Sequence, residues 1–159
     1  MVAGCPRSDQ GRKGPTDHTM ADGHKDYSGT PLWKKLGIRE GSRLLVVGAP
    51  DGFDRTLEAI APMPSVERLT RAGRDLDVIV LFATERRVVE RRFAGLAAAI
   101  AKDGRLWVAW PKGASAIPTD LTFEVVQGHG LACGLVDNKT AAIDADFTGL
   151  QFVYRRADR

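Results

Sequence analysis

The chain has 159 residues, 43% of them hydrophobic and 27% charged, and a formal net charge of +3. That length and balance fit one globular domain and exclude a wholly disordered chain. The mild basic excess lacks the clustered stripe that follows a phosphate backbone, which argues against a nucleic-acid partner. No apolar run reaches the roughly 20 residues that a membrane helix needs, so no membrane partner is expected.

Residues 1–27 are rich in Gly, Asp, Arg and Lys and poor in aliphatic side chains. They cannot bury enough surface to offset the entropy of ordering, and a disordered tail is expected there. Met20 stands just ahead of the first structured pattern. One expectation is that translation naturally starts at Met20, which the intact mass of the native protein would check. Residues 28–159 then form a single domain. Of the two cysteines, Cys5 falls in the tail and Cys133 in the domain. That argues against a disulfide framework and for a reduced, cytoplasmic setting, with Cys133 a small buried hydrophobe. "VAGC" at residues 2–5 resembles a lipoprotein cleavage box, but no apolar stretch precedes it.

From Thr30 the punctuation is regular. "TPLWKKLGI" predicts a short helix with Thr30 as N-cap, Pro31 at the first helical position and Gly37 as terminator. "RLLVVGA" is a continuous apolar run, hence a buried strand. "DGFDRTLEAIAPMP" predicts a helix capped by Asp51 and stopped by Pro62. "VERLT" is a weak strand and "LDVIVLFA" the strongest in the chain. "TERRVVERRFAGLAAAIAKDG" places Val89, Phe93, Leu96, Ala97 and Ile100 on one face of a long helix. "RLWVAWP" is another strand, and "TDLTFEVVQGHGLA" a helix weakened by Gly128 and Gly130. Two strands, "GLVDNKTAAI" and "LQFVYR", end the chain around the turn-rich "DADFTG". Strands alternating with helices predict a parallel sheet covered on both faces, and so short a final connection makes its last pair antiparallel.

Four stretches carry candidate chemistry. "VVGAPDGF" sits where a nucleotide-binding fold puts its phosphate loop, yet Asp51 occupies the N-cap position and would repel a phosphate. Gly48 and Gly52 do not make the dinucleotide glycine pattern, and Thr70-Arg71 replaces the acid expected at the tip of the next strand. No cofactor is therefore expected. "ERRVVERRF" interleaves Arg86, Arg87, Arg91 and Arg92 with Glu85 and Glu90, which reads first as a solvated helix face with i,i+4 charge pairs and, as the alternative, as a face for an anionic partner. "WPKGASAIPTDLT" leaves the C-terminal end of a strand, where open α/β sheets bind ligands. There Lys112, Ser115, Thr119 and Asp120 are candidate ligand-binding residues. Lys112 with Asp120 could act as an acid/base pair, or Thr119 or Asp120 could simply cap the following helix. Lastly Asp137, Asn138 and Lys139 interrupt a strand, with Asp137 and Lys139 expected on one face at i, i+2. They are candidate ligand contacts or a structural polar network, and the sequence leaves open whether they join the Lys112 site. The histidines and cysteines show no metal-ligand spacing.

"SGTPLWKKLGI", "APDGF", "LWVAWPK", "PTDLT" and "GLVDNK" followed by "TGL" resemble a small bacterial family of unknown function, over about residues 27–155. That family is similar in outline to class I methyltransferases with the methyl-donor loop degraded. The resemblance implies a three-layer α/β/α sandwich, Rossmann- and methyltransferase-like. It also implies a mixed six-stranded sheet of order 2-1-3-4-6-5 whose last strand is antiparallel. It carries no activity over.

Function is expected to be that of a non-catalytic binding or regulatory module for an anionic small molecule or a protein partner. The alternatives are an enzyme using Lys112 and Asp120, or a methyltransferase-like enzyme with a non-standard cofactor loop. The sequence names no catalytic residue.

Overall fold

The computed structural model describes residues 29–158. The expected tail and the Met20 start lie outside the described residues. Ten main elements follow in order: α1 Leu32–Lys35, β1 Arg43–Val47, α2 Phe53–Leu57, β2 Glu67–Leu69, β3 Leu76–Phe82, α3 Arg86–Ala99, β4 Ile100–Pro111, α4 Phe123–Ala132, β5 Leu135–Ala142 and β6 Phe147–Tyr154. A short 3₁₀ turn, Arg156–Asp158, follows β6.

The six strands form one sheet in the order β2-β1-β3-β4-β6-β5. The first four strands run parallel, while β6 is antiparallel to both β4 and β5. The β5–β6 connection is too short for a crossover, so β6 returns beside β5 and inserts against β4. This is the α/β/α sandwich expected from alternating strands and helices, with the strand order that the family resemblance implies.

Each face of the sheet has its own core. On one side Phe93 and Leu96 of α3 and Val126 of α4 pack on Ile79, Leu81, Leu106, Leu150 and Phe152. On the other, Leu36 and Ile38 beside α1, with Phe53 and Leu57 of α2, pack on Leu44, Val78, Val80 and Trp107. Alternation along β3 and β4 sends successive apolar side chains to opposite cores, which is why these strands read as unbroken apolar runs. No helix among the described residues is long and apolar enough to cross a membrane.

Local details differ from the sequence expectation for identifiable reasons. Pro31, not Thr30, holds the N-cap position of α1, while Gly37 terminates it at φ +89° as expected. Helix α2 ends at Leu57 rather than Pro62. The Pro62 ring is incompatible with a helical carbonyl four residues earlier, so the helix yields before Glu58. The segment is held instead by Trp33 Nε1 donating to Ala61 O at 3.0 Å and by the Met63 N–H donating to Glu58 Oε2 at 3.3 Å. Asp51 does not cap α2: Gly52 takes that position at φ +88°, with no side-chain cap. Helix α3 passes directly into β4 at Ile100. The register against β3 shifts there, and Gly104 lies so close that a Cβ would stand 2.6 Å from Leu76 O.

Candidate ligand groove at the end of strand β4

The chain reverses its direction of travel across the sheet between β1 and β3, which makes their C-terminal ends the crevice of an open α/β fold. At that crevice Gly48 has φ +73°, and a Cβ on it would lie 3.0 Å from Phe82 O. The α2 side of this edge is filled by aromatic rings: Phe53 meets Phe82 edge-on at 4.9 Å, and Phe82 meets Phe147 at 5.3 Å. Asp51 is exposed, and Thr70 and Arg71 follow β2 as exposed residues.

Further along the same edge, β4 delivers Trp110, Pro111 and Lys112 to a groove of about 440 Å³. Ser115, Ile117, Thr119 and Phe123 complete most of its lining. Its size falls within the roughly 300–1,000 Å³ of pockets that hold small organic ligands. Lys112 is half-buried, and its backbone N–H donates to Asp146 O at 2.8 Å. Its ammonium group makes no hydrogen bond or ion pair with a described residue.

The neighbouring hydroxyls are engaged in building the loop. Ser115 Oγ donates to Asp146 Oδ1 at 3.0 Å and accepts the Ile117 N–H at 3.1 Å. Thr119 Oγ1 donates to Thr84 O at 2.6 Å and accepts the Leu121 N–H at 3.0 Å. Both remain in the groove lining, where their free lone pairs can accept further bonds.

Asp120 does not serve as the partner of Lys112. It is exposed, and Oδ1 accepts the Arg86 N–H at 2.6 Å, so it caps α3 from outside that helix. Its absence from the groove lining separates the two halves of the expected acid/base pair. Nor does it or Thr119 cap α4. Thr122 does so, accepting the Val125 N–H at 3.2 Å.

The Asp137–Lys139 stretch is separate from the groove, whose lining includes none of the three. β5 is an edge strand, and Asn138 and Lys139 are exposed rather than buried. The register shifts between Asp137 and Lys139, which oppose Phe152 and Gln151 in turn. This bulge corrects the expectation of a shared face. Asp137 Oδ2 accepts from Gln127 Nε2 of α4 at 3.2 Å, while Lys139 Nζ donates to Lys35 O of α1, on the other side of the sheet, at 3.1 Å. Asn138 Oδ1 accepts from Gln151 Nε2 at 2.7 Å. All three are thus tied into structure.

Asp146 is the residue that sequence reasoning missed. It holds both Lys112 and Ser115, and it is positioned by Asp144 Oδ1, which accepts the Asp146 and Phe147 N–H groups at 2.8 Å each. The signal available was the "DADFTG" turn, whose first aspartate makes this turn and whose second reaches back to β4. Cys133 is half-buried against the core and is not a free thiol, correcting the expectation of a reduced side chain. No group of His, Cys, Asp and Glu among the described residues could hold a metal ion.

The fold has known counterparts. Magnesium protoporphyrin IX methyltransferase from Synechocystis PCC 6803, solved with bound SAH, is 9% identical, with TM-score 0.53, over 77% of this chain and 78% of that one. A SAM-dependent methyltransferase from Aquifex aeolicus is 16% identical, with TM-score 0.50, over 82% and 95%. The pyocyanin biosynthetic protein PhzM is 14% identical, with TM-score 0.54, over 77% and 53%. At these identities the likeness is one of fold. No family model and no curated protein matches the chain.

Proposed function

We propose that the groove beside Lys112 binds a small anionic organic molecule. The observation that carries this is the half-buried Lys112 ammonium, without a described partner, at a groove floored by Trp110 and Phe123. An ammonium gains most from an anion where water is partly excluded, and the aromatic and aliphatic lining favours an organic body over a bare inorganic ion. Ser115 and Thr119, whose own protons are spent in the loop, add fixed acceptors for donor groups on the organic body rather than for the anion.

Calorimetric titration with small organic carboxylates and phosphate monoesters tests the assignment. At least one ligand should bind, and Lys112→Met should abolish that binding while leaving the melting temperature nearly unchanged. Binding that survives Lys112→Met would overturn it, as would a panel with no binder.

A second reading is methyl transfer from an adenosyl donor, supported by the methyltransferase-like fold and the crevice at Gly48. The likeness favours this more directly than a module without catalysis. The residues do not fit the usual donor contacts, however: Thr70 and Arg71 stand where a carboxylate would meet the ribose diol. Lys112 and Asp120 supply no proton-transfer pair. Titration with S-adenosylmethionine and S-adenosylhomocysteine decides the matter, since absence of binding to both removes this reading and leaves the Lys112 groove standing.

A further inference from the structure

A second cavity lies at the opposite, N-terminal edge of the parallel strands. It measures about 170 Å³ and is lined by polar groups that include Arg39, Ser42, Asp77, Asp103 and Arg105. That is below the roughly 300 Å³ at which drug-sized ligands begin to fit. Only a small molecule suits it.

Arg105 is its central feature. The side chain is half-buried, and the guanidinium makes no hydrogen bond or ion pair with a described residue. A flexible arginine would ordinarily carry its charged end out to water. This one is held by packing: it lies against Gly37, where any side chain would collide with its Nη1. Gly37, at φ +89°, is thus suited twice over to its position, by conformation and by space.

Opposite charges face Arg105 without touching it. Burial, and after it the charge of Arg39, lower its pKa, while Asp103 and Asp77 lie within electrostatic reach and oppose that shift. Neither carboxylate forms an ion pair with Arg105. Asp77 is itself fixed, its Oδ2 accepting the Arg43 N–H at 2.8 Å. Arg39 is anchored through its backbone N–H, which donates to Ser42 Oγ at 2.9 Å. Two arginines, Arg39 and Arg105, and three acids, Glu40, Asp77 and Asp103, therefore line one small cavity, with Arg105 facing Asp77 and Asp103 unjoined. A simple anion would meet the arginines but also the acids, and a simple cation would meet the reverse.

We propose that this cavity binds a small zwitterion of the free α-amino acid class, its carboxylate on Arg105 and its ammonium on Asp77 and Asp103. An α-amino acid carries its two opposite charges on groups attached to one carbon, which lets one small molecule bridge the gap. The guanidinium fork suits the carboxylate, and each contact is a charge-assisted hydrogen bond in a partly dry site.

The test is calorimetric titration of the full chain with the common α-amino acids, and with acetate and methylammonium as the two separated halves. At least one amino acid should bind, and neither half alone should bind measurably. Arg105→Met and Asp103→Asn should each weaken binding by roughly tenfold or more, with unchanged circular dichroism. Asp103 is exposed, so its variant keeps the test decisive should Arg105→Met fail to fold. Three outcomes would overturn the proposal: no amino acid binds, acetate binds as tightly as the amino acid, or the Asp103→Asn protein binds like the parent.

Discussion

Asp120 accepts the backbone N–H of Arg86 at 2.6 Å, across 34 residues of sequence, and so closes the start of α3. Thr119 beside it donates to Thr84 O at 2.6 Å, just ahead of Arg86 in the same junction. The loop that lines the Lys112 groove is in this way riveted to the point where β3 becomes α3. Groove shape and helix stability consequently share two side chains.

Asp120→Ala should destabilise the protein by about 1 kcal/mol, the usual value of a helix N-cap. Asp120→Asn keeps an acceptor oxygen and should lose less than half of that. Urea denaturation of the two variants checks this, with unchanged m-values expected. Equal losses would mean that the carboxylate charge, not the hydrogen bond, is what matters.

The two glycines of α4 should respond in opposite directions. Gly130 is buried against the Phe152 ring, and a Cβ there would collide with Cε1, Cζ and Cδ1. Gly130→Ala should cost about 1–3 kcal/mol as Phe152 is forced out of its place against Phe93. Gly128 is exposed, and beyond its own helix backbone no described residue lies within 4 Å of the point a Cβ would occupy. Gly128→Ala should stabilise by about 0.5–1 kcal/mol, through helix propensity alone. Denaturation midpoints on either side of the parent are the expected result.

The strands were legible because periodicity and composition are local. Beyond Asp77 at its start, "LDVIVLF" is apolar on both faces, which marks a central strand, and β3 is one. The final pair was legible from its short turn. What escaped depends on contacts distant in sequence, or on one inserted residue. The cap of α3 comes from Asp120, and no pattern near Arg86 announces it. The bulge at Asn138 reverses the alternation that would have set Asp137 and Lys139 on one face. Lys112 was legible as a groove residue from its place after a parallel strand. Asp146, which holds its backbone, sits in the β5–β6 turn and carries meaning only once β6 is seen to lie against β4. The cavity at Arg105 collects residues from the α1–β1 turn, β3 and β4, a grouping that exists only after the sheet is assembled.

Gly48 tests the crevice between β1 and β3. Its φ of +73° and the 3.0 Å approach of a Cβ to Phe82 O both oppose a side chain. Gly48→Ala should destabilise by about 1–2 kcal/mol, the usual cost of a left-handed residue with a Cβ, with some addition from the contact. Thermal denaturation reads the loss. A neutral result would show that the β1 turn relaxes freely, and the crevice would then have no fixed shape to present to a ligand.

His129 should make stability depend on pH between neutrality and mild acid. Its ring stands edge-on to Phe93 at 5.3 Å, and its Nε2 is buried without a hydrogen-bond partner among the described residues. Burial lowers its pKa below the ordinary 6.5, with Glu90 opposing and Arg86 reinforcing the shift. The unfolded chain therefore takes up the proton first as the pH falls. Stability contributed by the neutral ring is complete above pH 6.5, declines below it, and levels off once the folded protein also protonates. His129→Phe keeps an aromatic edge on Phe93 and removes the titration. Urea midpoints measured from about pH 7.5 down to about pH 5 stay above the main carboxylate range. Over that window the parent should lose stability and the variant should lose distinctly less. Parallel profiles for the two proteins would place the titrating group elsewhere and leave His129 as packing alone.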